Sequence, residues 1–351
     1  MNSKHTPSPK NKLGRIFIVI VALVVAISLG VIGVIYVTLT QLGDFWPVGT
    51  MEILQEEIPA PSETESLTEP VETVTETVTE PTPLGERLPI PVILYHHFDL
   101  VSENYLVVTP EMFREQMTAL KDAGFQTVTV QQINDYVEFG TPLPEKAFMV
   151  TMDDGYASNL ELAAPILEEL GMCATIFVVG LYEGATTNPH TGDPLGVIKF
   201  SYEDALPWVE KGVIDVQCHT FDMHNTVEEP YGLRNGMMPN PGESEADYRA
   251  AIEQDCQSFR EGRLATIPTK LQAIAYPYGY FTDDLENMIE DLGYTTTFSI
   301  NEYCSILEVH NSDSLKNLGR FNVLDYMSGE YMVYLLTEAY QKAQAKIVGV
   351  G

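Results

Sequence analysis

What most limits the fold of this chain is the alternation of two hydrophobic rhythms between residues 91 and 346. Short apolar or β-branched runs read as strands: PVILYHHF (91–98), FQTVTV (125–130), KAFMVTMDDG (146–155), MCATIFVVG (172–180), VIDVQCHTF (213–221), KLQAIAYPYG (270–279) and TTTFSI (295–300). Segments 109–124, 159–171, 246–262, 282–294 and 329–346 carry helical spacing instead. In 109–124, Thr109 and Pro110 open the helix, Phe113, Met117 and Leu120 fall on one face, and Gly124 stops it. Strands that alternate with helices pair in parallel, because the chain must cross a sheet face before the next strand begins. The expectation is an α/β fold, a distorted (β/α) barrel of about seven parallel strands, occupying residues 88–351. Polar residues gather at the C-terminal ends of the strands, where such a barrel carries its site. Stretches 181–198 and 225–245, rich in Gly, Pro and Asn, read as long surface loops near that face.

The residues before the barrel follow different physics. Residues 1–15 hold Lys4, Lys10, Lys12 and Arg15 and no acid, and Ile16 to Thr40 then runs 25 residues without a charge. As a helix that run is about 37 Å long, enough to cross a hydrocarbon core about 30 Å thick. It is longer than a signal-peptide core and lacks a convincing small-residue cleavage site, so 16–40 reads as an uncleaved membrane anchor. The basic flank puts 1–15 in the cytoplasm and everything after the anchor outside, which makes this a single-pass protein of the cell membrane. Residues 41–87 form a linker: positions 51–87 carry ten Glu against one Arg, interleaved with Thr and Pro, too polar to bury a core.

Charge narrows the partners. With 19 Lys and Arg against 50 Asp and Glu, a net charge of −31, the chain lacks the basic clusters that neutralise nucleic-acid phosphates. The expected partners are a lipid bilayer, met through the single N-terminal helix, and no nucleic acid. Cys173, Cys218, Cys256 and Cys304 permit disulfides outside the cell, yet Cys173 and Cys218 lie in apolar strands, where free thiols are common.

Two motifs carry chemistry. TMDDG places Asp153 and Asp154 at the end of a strand. Adjacent strand residues point to opposite faces, so both carboxylates line one pocket only if the strand breaks into a turn there. A lone Asp-Asp-Gly would more simply be a hairpin turn. CHTFDMH places His219 and His224 five residues apart, again just past a strand. Two imidazoles and a carboxylate suit one divalent ion, Zn²⁺ first and Co²⁺ or Ni²⁺ as alternatives, with positions open for water.

TMDDGY is similar to the T-F-D-D-G motif of the polysaccharide deacetylase (NodB-type) family, with Met152 in place of the aromatic. HTFDMH resembles the family's H-T-x-x-x-H motif, and YPYG (276–279) its third motif. The resemblance covers about residues 90–325. It implies a metal-dependent carbohydrate deacetylase in which Asp153 is the catalytic base, Asp154, His219 and His224 hold the metal, and the Tyr278 N–H completes an oxyanion hole. Where many members have an Arg two residues before the proline of the third motif, this chain has Ala275. The family's C-terminal histidine run is not clean either: His310, in ILEVH, is the nearest candidate, and Glu308 stands where an apolar residue belongs. Members that deacetylate poly-N-acetylglucosamine carry the acid histidine near the start of the domain in a Y-H motif. LYHHF resembles that motif, which implies His96 as acid, with His97 as the alternative. This branch is the most similar one.

The implied activity is hydrolysis of acetamido groups on an N-acetylglucosamine polymer or peptidoglycan. Alternatives are an O-acetyl esterase on acetylated xylan or a similar glycan, and a catalytically silent carbohydrate-binding protein. Tyr156, Tyr276, Tyr280 and Phe221 stand beside the motifs as sugar platforms or core. Trp208 is expected in helix packing, and Asp222 either beside a ligand histidine or exposed to solvent. Arg320 is expected in a structural salt bridge, replacement of the missing motif Arg being the alternative.

Overall fold

The computed structural model describes residues 87–349, apart from 103 and 233. The basic tail (1–15), the membrane anchor (16–40) and all but the last residue of the linker (41–87) lie outside the described residues. Among the described residues no helix is long and apolar enough to cross a membrane.

In chain order the strands are β1 (Arg87–Ile90), β2 (Val92–Tyr95), β3 (His97–Phe98), β4 (Val107–Val108), β5 (Gln126–Thr127), β6 (Ala147–Asp153), β7 (Ala174–Val178), β8 (Ile214–Cys218), β9 (Ala273–Ala275), β10 (Thr296–Phe298), β11 (Ser305–Glu308) and β12 (Phe321–Asn322). The α-helices are α1 (Pro110–Asp122), α2 (Val130–Phe139), α3 (Ala164–Leu170), α4 (Tyr202–Glu210), α5 (Glu245–Thr266), α6 (Asp283–Asp291) and α7 (Gly329–Ile347). Hydrogen bonding sets seven strands side by side, all parallel, in the order β10-β9-β8-β7-β6-β2-β12. The segment entering β12 closes the ring. Leu318 N–H donates to Thr297 O (2.8 Å), Ser299 N–H to Leu318 O (3.0 Å), and on the other side Val323 N–H to Leu94 O (2.9 Å). The expected seven-stranded parallel barrel is present.

It is distorted at one seam. β8 and β9 share a single backbone pair, Cys218 opposite Ile274. Below it the Gln217 side chain substitutes for the ladder, its Oε1 accepting the N–H groups of Gln272 (3.0 Å) and Ala273 (2.9 Å).

The strand period of two sorts side chains into layers. Along β6, Phe148, Val150 and Met152 pack outward with Phe113, Met117 and Leu120 of α1 and Leu167 of α3. Ala147 and Met149 face inward with Val92, Phe177, Ala273, Ala275 and Phe298. Each large apolar side chain buried this way stabilises the fold by about 1.5–3 kcal/mol. Continuing the alternation carries Asp153 to the inner face and leaves Met152 on the helix side.

Two readings of the sequence need correction. FQTVTV (125–130) is not a full strand: β5 keeps Gln126 and Thr127, paired to the start of β6 and off the ring. Thr129 then caps α2, its hydroxyl accepting from Gln132 N–H while the Gln132 side chain accepts from Thr129 N–H. That capping box outweighs the β-branched composition. The other correction is β12, too short to show in the sequence, and the antiparallel pair of β1 with β11 that brings Arg87 opposite Glu308. Helix 159–171 starts with a π-helical turn, Asn159–Ala163. All four cysteines are free thiols.

Candidate active site and metal centre

Three strand ends build the site, each through a residue in the left-handed region. β6 ends at Asp153, and Asp154 follows with φ 72°. Gly155 (φ +68°) completes the turn where an added Cβ would sit 3.2 Å from Val178. That break turns neighbouring carboxylates into one pocket. After β8 come His219 and Thr220 (φ 73°), and after β9 comes Tyr278 (φ 58°). Each such residue costs of order 1–3 kcal/mol, strain that surrounding contacts sustain. For the histidine loop the contacts are explicit: Asp255, on α5, accepts the N–H groups of Phe221 (2.8 Å) and Asp222 (2.7 Å). The loop returns His224 to His219, ring centroids 4.7 Å apart.

One ligand atom each from Asp154, His219 and His224 can be chosen within 4.8 Å of one another. His224 Nε2 lies 3.3 Å and His219 Nε2 3.8 Å from Asp154 Oδ1. Tetrahedral bonds of about 2.0–2.2 Å need ligand separations near 3.4 Å, so the trio fits a divalent ion after a small contraction. The tautomer agrees: His219 Nδ1 donates to Ala275 O at 2.7 Å, which leaves Nε2 with its lone pair towards the trio. Burial pushes His219 down to about 4, against the pull of Asp153, so it is neutral at physiological pH. Burial opposes ionisation of Asp154, but His224, Lys199 and His219 together hold it well below the usual carboxylate range.

Asp153 stands outside the trio, its Oδ2 3.7 Å from His219 Nε2. The fully buried Arg320 grips it with both arms, Nη1 to Oδ1 at 2.7 Å and Nη2 to Oδ2 at 2.9 Å, while Arg320 Nε donates to Ser299 O at 2.8 Å. Burial alone would raise the Asp153 pKa; the Arg320 charge beside it brings it below the ordinary value. The expected salt bridge of Arg320 therefore has the candidate base as its partner. This guanidinium enters from the residue just before β12.

His96, Asp153, Asp154, His219, His224 and Tyr278 line a single cavity of about 460 Å³. The π-helical turn fixes the first of these, Asn159 Nδ2 donating to His96 O at 2.7 Å. His97 turns elsewhere, its Nδ1 2.8 Å from Ser158 Oγ and its ring 5.2 Å from that of Tyr156. His310 follows β11, which pairs with β1 at the N-terminal side of β2, and its N–H donates to Val137 O (2.7 Å). It lies at the opposite end of the barrel from the cavity.

Residues 140–297 match the family described as polysaccharide deacetylase. The chain carries a polysaccharide deacetylase domain. It is similar to the poly-β-1,6-N-acetyl-D-glucosamine N-deacetylases of Staphylococcus epidermidis, 25% identical over 57% of this chain and 63% of that protein, and of Escherichia coli, 21% identical over 72% and 39%. The chain spans between 39% and 63% of the length of these curated relatives. Among solved structures, IcaB from Ammonifex degensii superposes with a TM-score of 0.57 at 21% identity, over 71% of this chain and 97% of that one. The last comparison speaks to the fold.

The other residues singled out in the sequence fall in several places. Asp222 meets a histidine, but His190 of the 181–198 loop (2.8 Å) rather than a member of the trio. Tyr276 is core, its hydroxyl donating to Glu286 Oε1 at 2.6 Å, and Tyr280 is exposed. Burial, and then the Asp154 charge, push the Tyr156 hydroxyl up, and Lys199 lies over its ring. Neither Asp255 nor Lys199 had any signal in motif spacing. Burial raises Asp255 to about 6, so the folded domain binds its proton more tightly than the unfolded chain. The stability this confers is complete below the unfolded carboxylate pKa and is lost as pH rises through about 6. Thermal melts should therefore show Asp255→Asn losing less stability than wild type between pH 4.5 and 7. A parallel dependence in both proteins would refute it.

Proposed function

We propose that this domain hydrolyses the acetamido groups of N-acetylglucosamine-containing polymers, releasing acetate and leaving free amines, outside the membrane to which residues 16–40 tether it. The observation that carries this reading is the separation of tasks within one cavity: three ligand side chains converge, while a fourth side chain beside them, the carboxylate of Asp153, is held ionised by Arg320. A protein that only binds sugar has no use for that arrangement. The N-deacetylase activity of the E. coli and S. epidermidis relatives on poly-β-1,6-N-acetyl-D-glucosamine supports the substrate class.

Asp154, His219 and His224 would hold the ion, and a borderline N/N/O donor set with a neutral His219 favours Zn²⁺ over Mg²⁺ or Ca²⁺. Such a cation supplies Lewis-acid polarisation of the acetyl carbonyl and acidifies water. Asp153 takes the proton from the water whose oxygen attacks the carbonyl carbon. The Tyr278 N–H donates to the oxyanion, a kind of contact whose loss costs about 10²–10³ in rate. As the C–N bond breaks, His96 delivers a proton to the nitrogen, because an unprotonated amine leaves poorly. Around them, Tyr105 and Tyr278 offer ring faces, and Glu302 and Asn322 offer hydrogen-bonding groups for sugar hydroxyls.

The direct test measures acetate and free amine from N-acetylglucosamine oligomers and acetate from acetylated xylan, with and without chelator. Acetate and amine in equal amounts, abolished by chelator and restored by Zn²⁺, is the expected result. Release from xylan alone would make the protein an esterase, and no release from either by metal-loaded protein would leave it a sugar-binding module. His96→Ala should lower kcat about 100-fold with zinc content unchanged, whereas His310→Ala should change neither. The reverse outcome would move the acid to the other end of the sequence.

A further inference from the structure

Lys199 is held beside the ligand trio by the Asp-Asp-Gly turn itself. Phe200 N–H donates to Gly155 O (3.1 Å), Ala157 N–H donates to Ile198 O (3.0 Å), and Tyr156 and Lys199 face each other as an antiparallel bridge. The Lys199 Nζ sits 3.4 Å from the centre of the Tyr156 ring, and the Asp154 charge acts on the hydroxyl of that ring. Both side chains line a second cavity of about 400 Å³ that shares Asp154, His224 and Tyr278 with the first. Glu229 on that wall is already engaged, accepting from the Tyr231 hydroxyl (3.0 Å) and Thr226 N–H (2.7 Å). Lys199 is thus a half-buried ammonium whose field falls on Asp154.

For a site whose only task is to grip a divalent cation, this ammonium is a handicap, because like charges in adjoining, partly dry cavities repel. The same field helps where negative charge develops, and amide hydrolysis builds an oxyanion beside Tyr278, which lines both cavities. We propose that Lys199 is a positioning residue of the hydrolytic site, an ammonium that acts through Tyr156 and Asp154 to weaken cation binding while stabilising the developing oxyanion. The proposal rests on the deacetylase reading above. It differs in sign from a structural role: a prop that is removed loosens the metal and slows the reaction together, whereas a removed field tightens the metal and slows the reaction.

The test uses metal-free protein titrated with Zn²⁺ against a chromogenic chelator, beside steady-state kinetics on N-acetylglucosamine oligomers. Lys199→Met should lower the zinc Kd about tenfold and lower kcat about tenfold, and Lys199→Arg should return both towards wild type. Lys199→Gln, polar and neutral, should behave as Lys199→Met does and serves if the latter folds poorly. A zinc Kd in Lys199→Met and Lys199→Gln that is unchanged or raised overturns the proposal, as does failure of Lys199→Arg to restore it. If the wild type binds zinc but releases no acetate, the deacetylase reading falls, and the zinc arm still decides whether Lys199 opposes the cation.

Discussion

Asp153→Asn should cost about 10⁴ in kcat while the zinc content of the protein stays at the wild-type level. Asparagine keeps the shape of the side chain and one carbonyl acceptor for Arg320, but it cannot take a proton from water at any working pH. Its position explains why metal should remain: Asp153 is the carboxylate outside the trio, 3.7 Å from His219 Nε2 and bound by two hydrogen bonds to Arg320. His219→Ala is the contrast, because it removes a ligand and should lose zinc and turnover together. The buried Arg320 loses its counter-charge in Asp153→Asn, so a lower melting temperature is expected as well. Kinetics must therefore be read at a temperature where circular dichroism shows the variant folded. Activity within tenfold of wild type in folded, metal-loaded Asp153→Asn would remove Asp153 as the base.

How much of this was visible in the sequence depended on the range of the interactions. The inward direction of Asp153 follows from strand alternation along β6, and the turn that redirects Asp154 is announced by the glycine that follows it. The histidine spacing is equally local. Each of these is set by backbone geometry within a few residues, which a motif records. Arg320 is different: it reaches Asp153 only because a two-residue strand, β12, lies against β2 and closes the ring. Nothing local distinguishes LGRFNV from a surface loop. Lys199 was hidden for a similar reason, since a Gly- and Pro-rich loop gives no hint that its end zips onto the Asp-Asp-Gly turn. The α2 helix was missed because β-branched residues preceded it, and the Thr129–Gln132 capping box was the signal that could have found it.

Arg320→Gln tests the long-range half of the site, and its effect should depend on pH in a defined direction. In the wild type, burial raises the Asp153 pKa and the Arg320 charge overrides it downwards. Without Arg320 the burial contribution wins, and the carboxyl takes up its proton at higher pH. The base works only when ionised, so the acid limb of kcat/KM should move to higher pH. At pH 6 the loss should be about 10³, with partial recovery as pH rises. Stability gives an independent reading of the same charge. A depressed folded pKa contributes stability at neutral pH that disappears as pH falls through it, so acidification weakens the wild type at Asp153. In Arg320→Gln the folded pKa lies above the unfolded value, and this group favours folding more as the solution becomes more acidic. Melting temperatures at pH 7 and pH 5 should therefore converge between the two proteins, while the rate profiles separate. Arg320→Lys keeps the charge but not the two-armed grip, so it should retain the wild-type acid limb with a lower plateau. An acid limb that stays in place in Arg320→Gln would mean that the group titrating in catalysis is not Asp153.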